Sequence, residues 1–340
     1  MSRAGSRSPS EPSTESLAEA LTALCAQVGI PFDEMLHTVE GALAAAYKRA
    51  FNPPGEVSVR LDTKSGALDV RTRVTKADGS TMVEVLPSDD FKRMAAQTAK
   101  HAVLRHIHDL ERDKVLRDVA EHRGELATGV VDRVEAGIVY IDLGRVEGVM
   151  PPEEQIPGEQ LHPGRPVLVV LLETQRNPRQ AQVRVSRASK SFVHRLLEAE
   201  VPEIKAGTVH VRAIAREPGL RTKVAVSASE PGIDPVGACV GPKGVRHHAI
   251  LSELASEHVD IVPWSDDPEA LVAAALGPAR ADSVSIDRNT RTATVLVPRG
   301  QLSLAIGRDG QNARLAAKLT GYRIDIKPGE SEELPAGDQA

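Results

Sequence analysis

Aromatic side chains make up only 2% of this 340-residue sequence: one Trp, three Tyr and four Phe. A surface that binds nucleic acid mainly by stacking bases on rings has little material to be built from. Cysteine is equally sparse. Cys25 and Cys239 lie far apart and neither belongs to a Cys-x-x-Cys pair, so a disulfide framework or a cysteine zinc site has no support. Both read as small buried residues. No apolar run approaches the roughly 20 residues of a spanning helix. The opening MSRAGSRSPSEPSTES also lacks the apolar core of a signal peptide. The chain is therefore expected in the cytoplasm, without membrane contact. An excess of positive charge is missing too, the formal net being −5. By region the net is −2 over 1–122, −1 over 123–189, +2 over 190–328 and −4 over 329–340. Binding of a polyanion must then come from local placement of charge rather than from an overall field.

What is present is ordinary for folded protein: 41% hydrophobic and 26% charged residues, over a length that suits several small domains. Residues 1–13 are rich in Ser, Pro and Arg without apolar periodicity and read as a disordered arm. A helix is predicted from Ser16, with Glu19 completing a capping box, Leu17, Leu21, Leu24 and Val28 on one face, and Gly29 and Pro31 ending it. A second, from about Asp33 to Ala50, carries Leu36, Val39, Leu43 and Tyr47 at helical spacing. VSVRLDTKSGALDVRTRV and TMVEVL then alternate as strands around turns at Ser65-Gly66 and Asp78-Gly79. A long charged helix follows, from about Asp90 to Glu121. Residues 14–122 thus form an N-terminal α/β domain with no catalytic motif.

Residues 123–189 change texture, to short β-branched runs separated by Gly, Pro and Asn turns, as in a small closed barrel. The succession TGVV, GIVYIDLG, EGVMP, PG, VLV and VRVSR resembles the OB-fold of the ribosomal S-one type, which binds single-stranded RNA through a basic groove and stacking rings. Tyr140 is the one aromatic in this segment. RNA binding by the barrel and a role only in orienting its neighbours both stay open.

The last 150 or so residues contain one unit twice, in the order helix, two strands, helix, GxxG, helix, strand. CVGPKGVRHHAILSELASEHVDIV superposes on AIGRDGQNARLAAKLTGYRIDIK with one residue dropped before the last strand. This is the order of the bacterial (type II) KH domain. A GxxG between two helices permits a tight turn and leaves no Cβ to hold a nucleic-acid backbone away. The next helix then points free N–H groups and its positive dipole end at phosphate. Candidate RNA-binding residues are Gly241, Pro242, Lys243, Gly244 and Arg246 in the first unit, with Lys243 facing phosphate. In the second they are Gly307, Arg308, Asp309, Gly310, Asn312 and Arg314. Arg308 is placed to pair with phosphate and Asp309 to repel it, so the second grip is expected to be weaker or to orient bases instead. The units span 190–268 and 269–328, and 329–340 reads as an acidic disordered tail.

PVGACVGPKGVR, AIGRDGQNARLAAKLTG and the IDIV ending of the first unit are especially characteristic. Together with the domain order, they make the chain resemble the NusA family of bacterial transcription elongation, pausing, termination and antitermination factors over about residues 14–328. The resemblance implies that the N-terminal domain docks on core RNA polymerase near its RNA exit channel and that the barrel and KH units receive nascent single-stranded RNA. Other Nus-type factors and ribosomal proteins are possible further partners, and a monomer is expected. The sequence runs only a few residues past the second KH unit, in ESEELPAGDQA, so the additional acidic repeats of some relatives are not expected.

Other chemistries find little footing. Gly237 to Lys243 superficially resembles a Walker loop, but Gly244 and Val245 follow Lys243 where Ser or Thr is required. The histidines of HAVLRHIHDL and His247-His248 lack a carboxylate set with metal spacing. Asp89-Asp90 and Asp266-Asp267 read as caps or solvated turns, and Trp264 as a packing residue between domains. A phosphorolytic exoribonuclease also joins KH and S-one domains, but places a large core before them. A general, ribosome-associated RNA chaperone would bind RNA without polymerase. No catalytic residue, metal or cofactor is expected.

Overall fold

The computed structural model describes residues 15–329 except 64, 66, 77, 78, 178–180 and 256. The expected arm and nearly all of the expected tail lie outside the described residues, as do Gly66, Asp78 and the side chains of the predicted capping box. Two compact units divide between Lys114 and Val115.

In the first unit, helices α1 (Glu15–Val28) and α2 (Phe32–Phe51) precede strands β1 (Glu56–Leu61), β2 (Leu68–Thr75) and β3 (Thr81–Leu86), which pair antiparallel in that order. Gly29, at φ 73°, ends α1 in the left-handed conformation that glycine adopts at least cost. Met35, Val39, Leu43 and Tyr47 recur four apart on α2 and bury one stripe against Val59 and Val70 of the sheet. Helix α3 (Lys92–Glu121) follows. Its last turns belong to the second unit, where Leu116, Val115 and Val119 pack on the barrel.

The barrel comprises β4 (Leu126–Glu135), β5 (Ile138–Asp142), β6 (Glu147–Met150), β7 (Pro166–Arg176) and β8 (Ala181–Ser186), closed in the order β4-β5-β6-β8-β7. Only β6 and β8 run parallel. Val131, Val139, Ile141, Val169, Val183 and Val185 alternate inward, filling the interior as a five-stranded OB-type barrel requires.

Next come α4 (Lys190–Glu200), α5 (Pro202–Lys205), β9 (Val209–Glu217), β10 (Arg221–Ala228), α6 (Pro235–Val240), α7 (Val245–Glu253) and β11 (His258–Pro263). The second copy is α8 (Pro268–Ala275), β12 (Ser283–Asp287), β13 (Thr292–Val297), α9 (Leu302–Ile306), α10 (Gln311–Thr320) and β14 (Arg323–Pro328). Each sheet has its middle strand antiparallel to one neighbour and parallel to the other: β10 pairs β9 antiparallel and β11 parallel, and β13 pairs β12 and β14 likewise. That mixed sheet identifies both copies as the bacterial type of KH fold.

The barrel and the KH units share cores. Ile156 and Val170 of the barrel pack with Phe192, Leu197, Val224 and Ile250 of the first KH unit. Across the seam, buried Arg187 donates to Glu159 at 2.8 and 2.9 Å and to the Glu253 carbonyl at 2.7 Å. On the other side of the first sheet, Ala215, Ala225 and Val262 pack with Leu315, Ala316 and Leu319 of the second unit. Cys25 and Cys239 are both buried, and burial pushes the Cys239 thiol up to about 11.

Candidate nucleic-acid interface

The two GxxG loops have the same backbone. Gly241 sits at φ 74°, ψ 173° and Gly307 at φ 77°, ψ 170°. The third residues, Lys243 and Asp309, are left-handed at φ 53° and 51°, as are the closing glycines Gly244 and Gly310 at 77° and 73°. A bond from the fourth N–H to the first carbonyl closes each turn, at 3.1 and 3.2 Å. The glycines differ in what surrounds them. A Cβ on Gly244 or Gly310 would meet open space. One on Gly241 would strike the Arg246 side chain at 2.7 Å, and one on Gly307 the Asn312 Cβ and backbone nitrogen at 2.8 Å.

Each closing glycine is the N-cap of the next helix and offers no side chain to its first N–H groups. Those donors and the dipole end of α7 or α10 are thus left for a ligand, a geometry that suits phosphate. Lys243 and Arg308 are exposed in the loops, and neither has an ion-pair partner among the described residues. Beside them lies an apolar ledge: Val245 is 66% exposed, and Leu304 and Ile306 are 46% and 38% exposed. Free N–H groups, an unpaired cation and an apolar ledge match the phosphates and base faces of a single strand.

Pro242 is exposed in the first loop, and Asp309 in the second. Three other sequence candidates are engaged within the protein. Arg246 donates to Glu203 on α5 at 2.8 Å and to the Ala238 carbonyl at 2.6 Å. Arg314 donates to Glu217 at 2.6 and 3.0 Å and to the Asp309 carbonyl at 3.3 Å. Asn312 requires a correction. Placed by sequence among RNA-facing groups, it is fully buried, and its amide donates to the carbonyls of Leu276 at 2.9 Å and Ala305 at 3.0 Å. From the second position of α10 it turns back over the end of α9 instead of outward.

Sequence reasoning missed Glu203 and Glu217, acids that hold these arginines. The first glycine and the residue five further on are a detectable signal; their distant partners are not. Arg314, Lys318 and Gln311, bonded to Glu217, hold its carboxyl down to about 2 against the opposing effect of burial. Glu203 is held below the ordinary carboxylate range by its own backbone N–H and by Arg246. On the barrel, a bulge between Val131 and Arg133 sets Arg133 beside Tyr140, its guanidinium 3.9 Å from the ring centroid. Glu147 holds Arg133 there at 2.6 Å. One face of the ring on which a base would stack is taken by that guanidinium.

Residues 187–264 match the family described as NusA-like first KH domain, and 268–333 that described as NusA-like second KH domain. Along most of its length the chain is similar to the transcription termination/antitermination protein NusA of Bacillus subtilis, 40% identical over 92% of this chain and 90% of that one. The chain belongs to the NusA family. The NusA protein of Halalkalibacterium halodurans is 39% identical over 93% and 89% of the two chains, and that of Mycobacterium tuberculosis 39% identical over 94% of each. Among solved structures, the N-terminal domain of B. subtilis NusA aligns with 29% of this chain and 99% of its own, at 29% identity and a TM-score of 0.26. As a NusA-family protein with two KH domains, this chain is an RNA-binding transcription factor.

Proposed function

We propose that this protein holds nascent single-stranded RNA on its two GxxG loops while residues 14–122 dock on core RNA polymerase, thereby modulating elongation, pausing, termination and antitermination. The observation that carries the RNA half is the repeated loop: two turns of matching backbone, each opening an uncapped helix and each bearing an unpaired cation. In this reading, 123–189 is the barrel, 190–268 and 269–328 are the KH units, and 329–340 is an acidic tail. Gly241, Pro242, Lys243 and Gly244 form one grip; Gly307, Arg308, Asp309 and Gly310 form the other. Arg246 and Asn312 support these loops from behind, and Arg314, exposed on α10, is tied to Glu217 and to the Asp309 carbonyl. The guanidinium over one face of Tyr140, the barrel's one aromatic, favours a role in orienting the KH units over one in stacking bases.

The family membership supports the polymerase half, since the relatives are transcription termination/antitermination proteins. Two weak contacts, one to RNA and one to polymerase, reinforce each other because binding at one raises the local concentration at the other. The factor makes and breaks no bond, acts in the cytoplasm as a monomer, and has other Nus-type factors and ribosomal proteins as candidate partners. Among the described residues no helix is long and apolar enough to cross a membrane.

The test pairs two measurements on the full chain and on a variant shortened to Val115–Ala340: co-purification with core polymerase, and pause duration on a hairpin template. Full-chain binding with a lengthened pause, lost on shortening, is expected. RNA binding without polymerase binding by either form would leave a general RNA-binding protein instead.

A further inference from the structure

We propose that the residue five positions after the first glycine of each loop, Arg246 in the first KH unit and Asn312 in the second, is a positioning residue. It braces the loop from behind and does not grip phosphate. The proposal rests on the reading of the loops as RNA-binding. The two copies reach the same arrangement with unlike side chains. Arg246 donates to the carbonyl of Ala238 at 2.6 Å, in the last turn of α6, and Asn312 to that of Ala305 at 3.0 Å, in the last turn of α9. Carbonyls at a helix end have no partner within the helix, so a donor supplied from beyond the turn fastens helix, loop and next helix together.

The first glycine has its explanation here. A Cβ at Gly241 or Gly307 collides with this brace, whereas one at Gly244 or Gly310 meets open space. In each loop, therefore, the first glycine makes room for protein and the last leaves room for ligand. The braces differ in what sustains them. Asn312 is neutral, fully buried and bonded only within its own unit. Arg246 is charged, half-buried and shared with Glu203, 2.8 Å away on α5. The first loop thus depends on a carboxylate that simple electrostatics would class as repelling RNA.

That dependence makes a sign prediction. In the full chain carrying Gly310→Asp to silence the second loop, affinity for a single-stranded RNA oligonucleotide is measured at several salt concentrations for Glu203→Ala, Arg246→Gln, Arg246→Ala and Gly244→Asp, with thermal melting alongside. Glu203→Ala is expected to weaken binding by up to about tenfold although it removes a negative charge, as loss of a charged hydrogen bond would. Arg246→Gln, which keeps a donor but no charge, should stay within about threefold of the parent, and Arg246→Ala should lose about tenfold. The slope of log affinity against log salt should hold constant in all three. The proposal is overturned if Glu203→Ala binds more tightly. It is equally overturned if Arg246→Gln and Arg246→Ala lose alike with a slope shallower by about 0.7, the signature of one lost phosphate contact on a single strand. If Gly244→Asp leaves binding intact, the loop is not the RNA grip, and the underlying reading fails before the brace is at issue.

Discussion

The two KH units share one topology and one loop geometry, yet their central strands live in different surroundings. In the first unit β10 is covered on both faces: Val224 and Val226 turn toward the unit's own helices, and Ala225 turns toward the second unit. Lys223 on that second face is fully buried, its ammonium donating to Asp260 at 3.0 Å and to the Gly277 carbonyl at 2.8 Å. In the second unit β13 alternates. Ala293, Val295 and Val297 are buried, and the residues between them face partly outward. The same fold therefore serves once as a middle layer and once as an end piece. A repeated unit acquires its special residues from its neighbours, not from its own architecture.

The hairpin ends show the same contrast, and breaking them should give the largest effect. In the first unit fully buried Glu257 accepts from Arg216 at 2.9 and 3.0 Å, from the Gly219 N–H at 3.0 Å and from Thr222. Glu257→Ala leaves Arg216 buried and unpaired and is expected to cost about 3–5 kcal/mol, read by denaturant melting. In the second unit Asp287 holds the corresponding turn through Asn289 and Thr290 at the surface, and Asp287→Ala should barely move the melting midpoint. Equal losses would end the distinction between middle layer and end piece.

Next in size are the first glycines. Both sit at positive φ, so alanine strains either backbone by about 1 kcal/mol or more. At Gly241 the obstructing atoms belong to a flexible arginine, and at Gly307 to Asn312 backbone, which cannot swing away. Gly307→Ala should destabilise more than Gly241→Ala and erase RNA binding by the second loop, as melting and RNA titration would show.

Glu217 joins the two units, accepting from Arg314, Lys318 and Gln311. Its carboxyl is held down to about 2, against about 4.3 for an unperturbed Glu. A depressed folded-state value means that this contribution to stability is complete above about pH 5 and erodes as pH falls from there toward 2. Glu217→Gln should therefore lower the melting midpoint at neutral pH by a few degrees, with the gap to the parent closing as pH approaches 2. A gap independent of pH would assign the joint to shape alone. The smallest effect concerns the loop cations: Lys243→Ala and Arg308→Ala should each make the salt dependence of RNA affinity shallower by about 0.7. A negligible change for Arg308→Ala would show that Asp309 already neutralises it.

Much of this was legible in the sequence because it depends on local order. The repeat, the mixed-sheet KH topology and the barrel all follow from elements read in succession, and the GxxG loops from four adjacent residues. What stayed hidden depends on partners far away along the chain. Nothing near Arg246 or Arg314 announces Glu203 or Glu217, so a basic residue after a GxxG reads as free for phosphate, and its carboxylate partner comes to light only in the fold. Asn312 misled for a related reason: a polar side chain in the first turn of a helix usually faces water, and only the end of α9 folded over it turns it inward. Lys223, in a strand reading RTKVAVSA, looks like the solvent-facing member of an alternating pair. It is buried because the second unit covers that face.

A strand hydrogen-bonded on both edges and covered on both faces has nowhere to open locally. The amides of β10 should be among the slowest in the molecule to exchange with deuterated solvent, since freeing them requires parting the first KH unit from the second as well as unpicking its own sheet. The outer strand β12, paired on one edge alone, should exchange sooner. The tandem would then melt as one cooperative body, and a solitary first unit would present Ala213, Ala215 and Ala225 to water, with Lys223 keeping Asp260 but losing the Gly277 carbonyl.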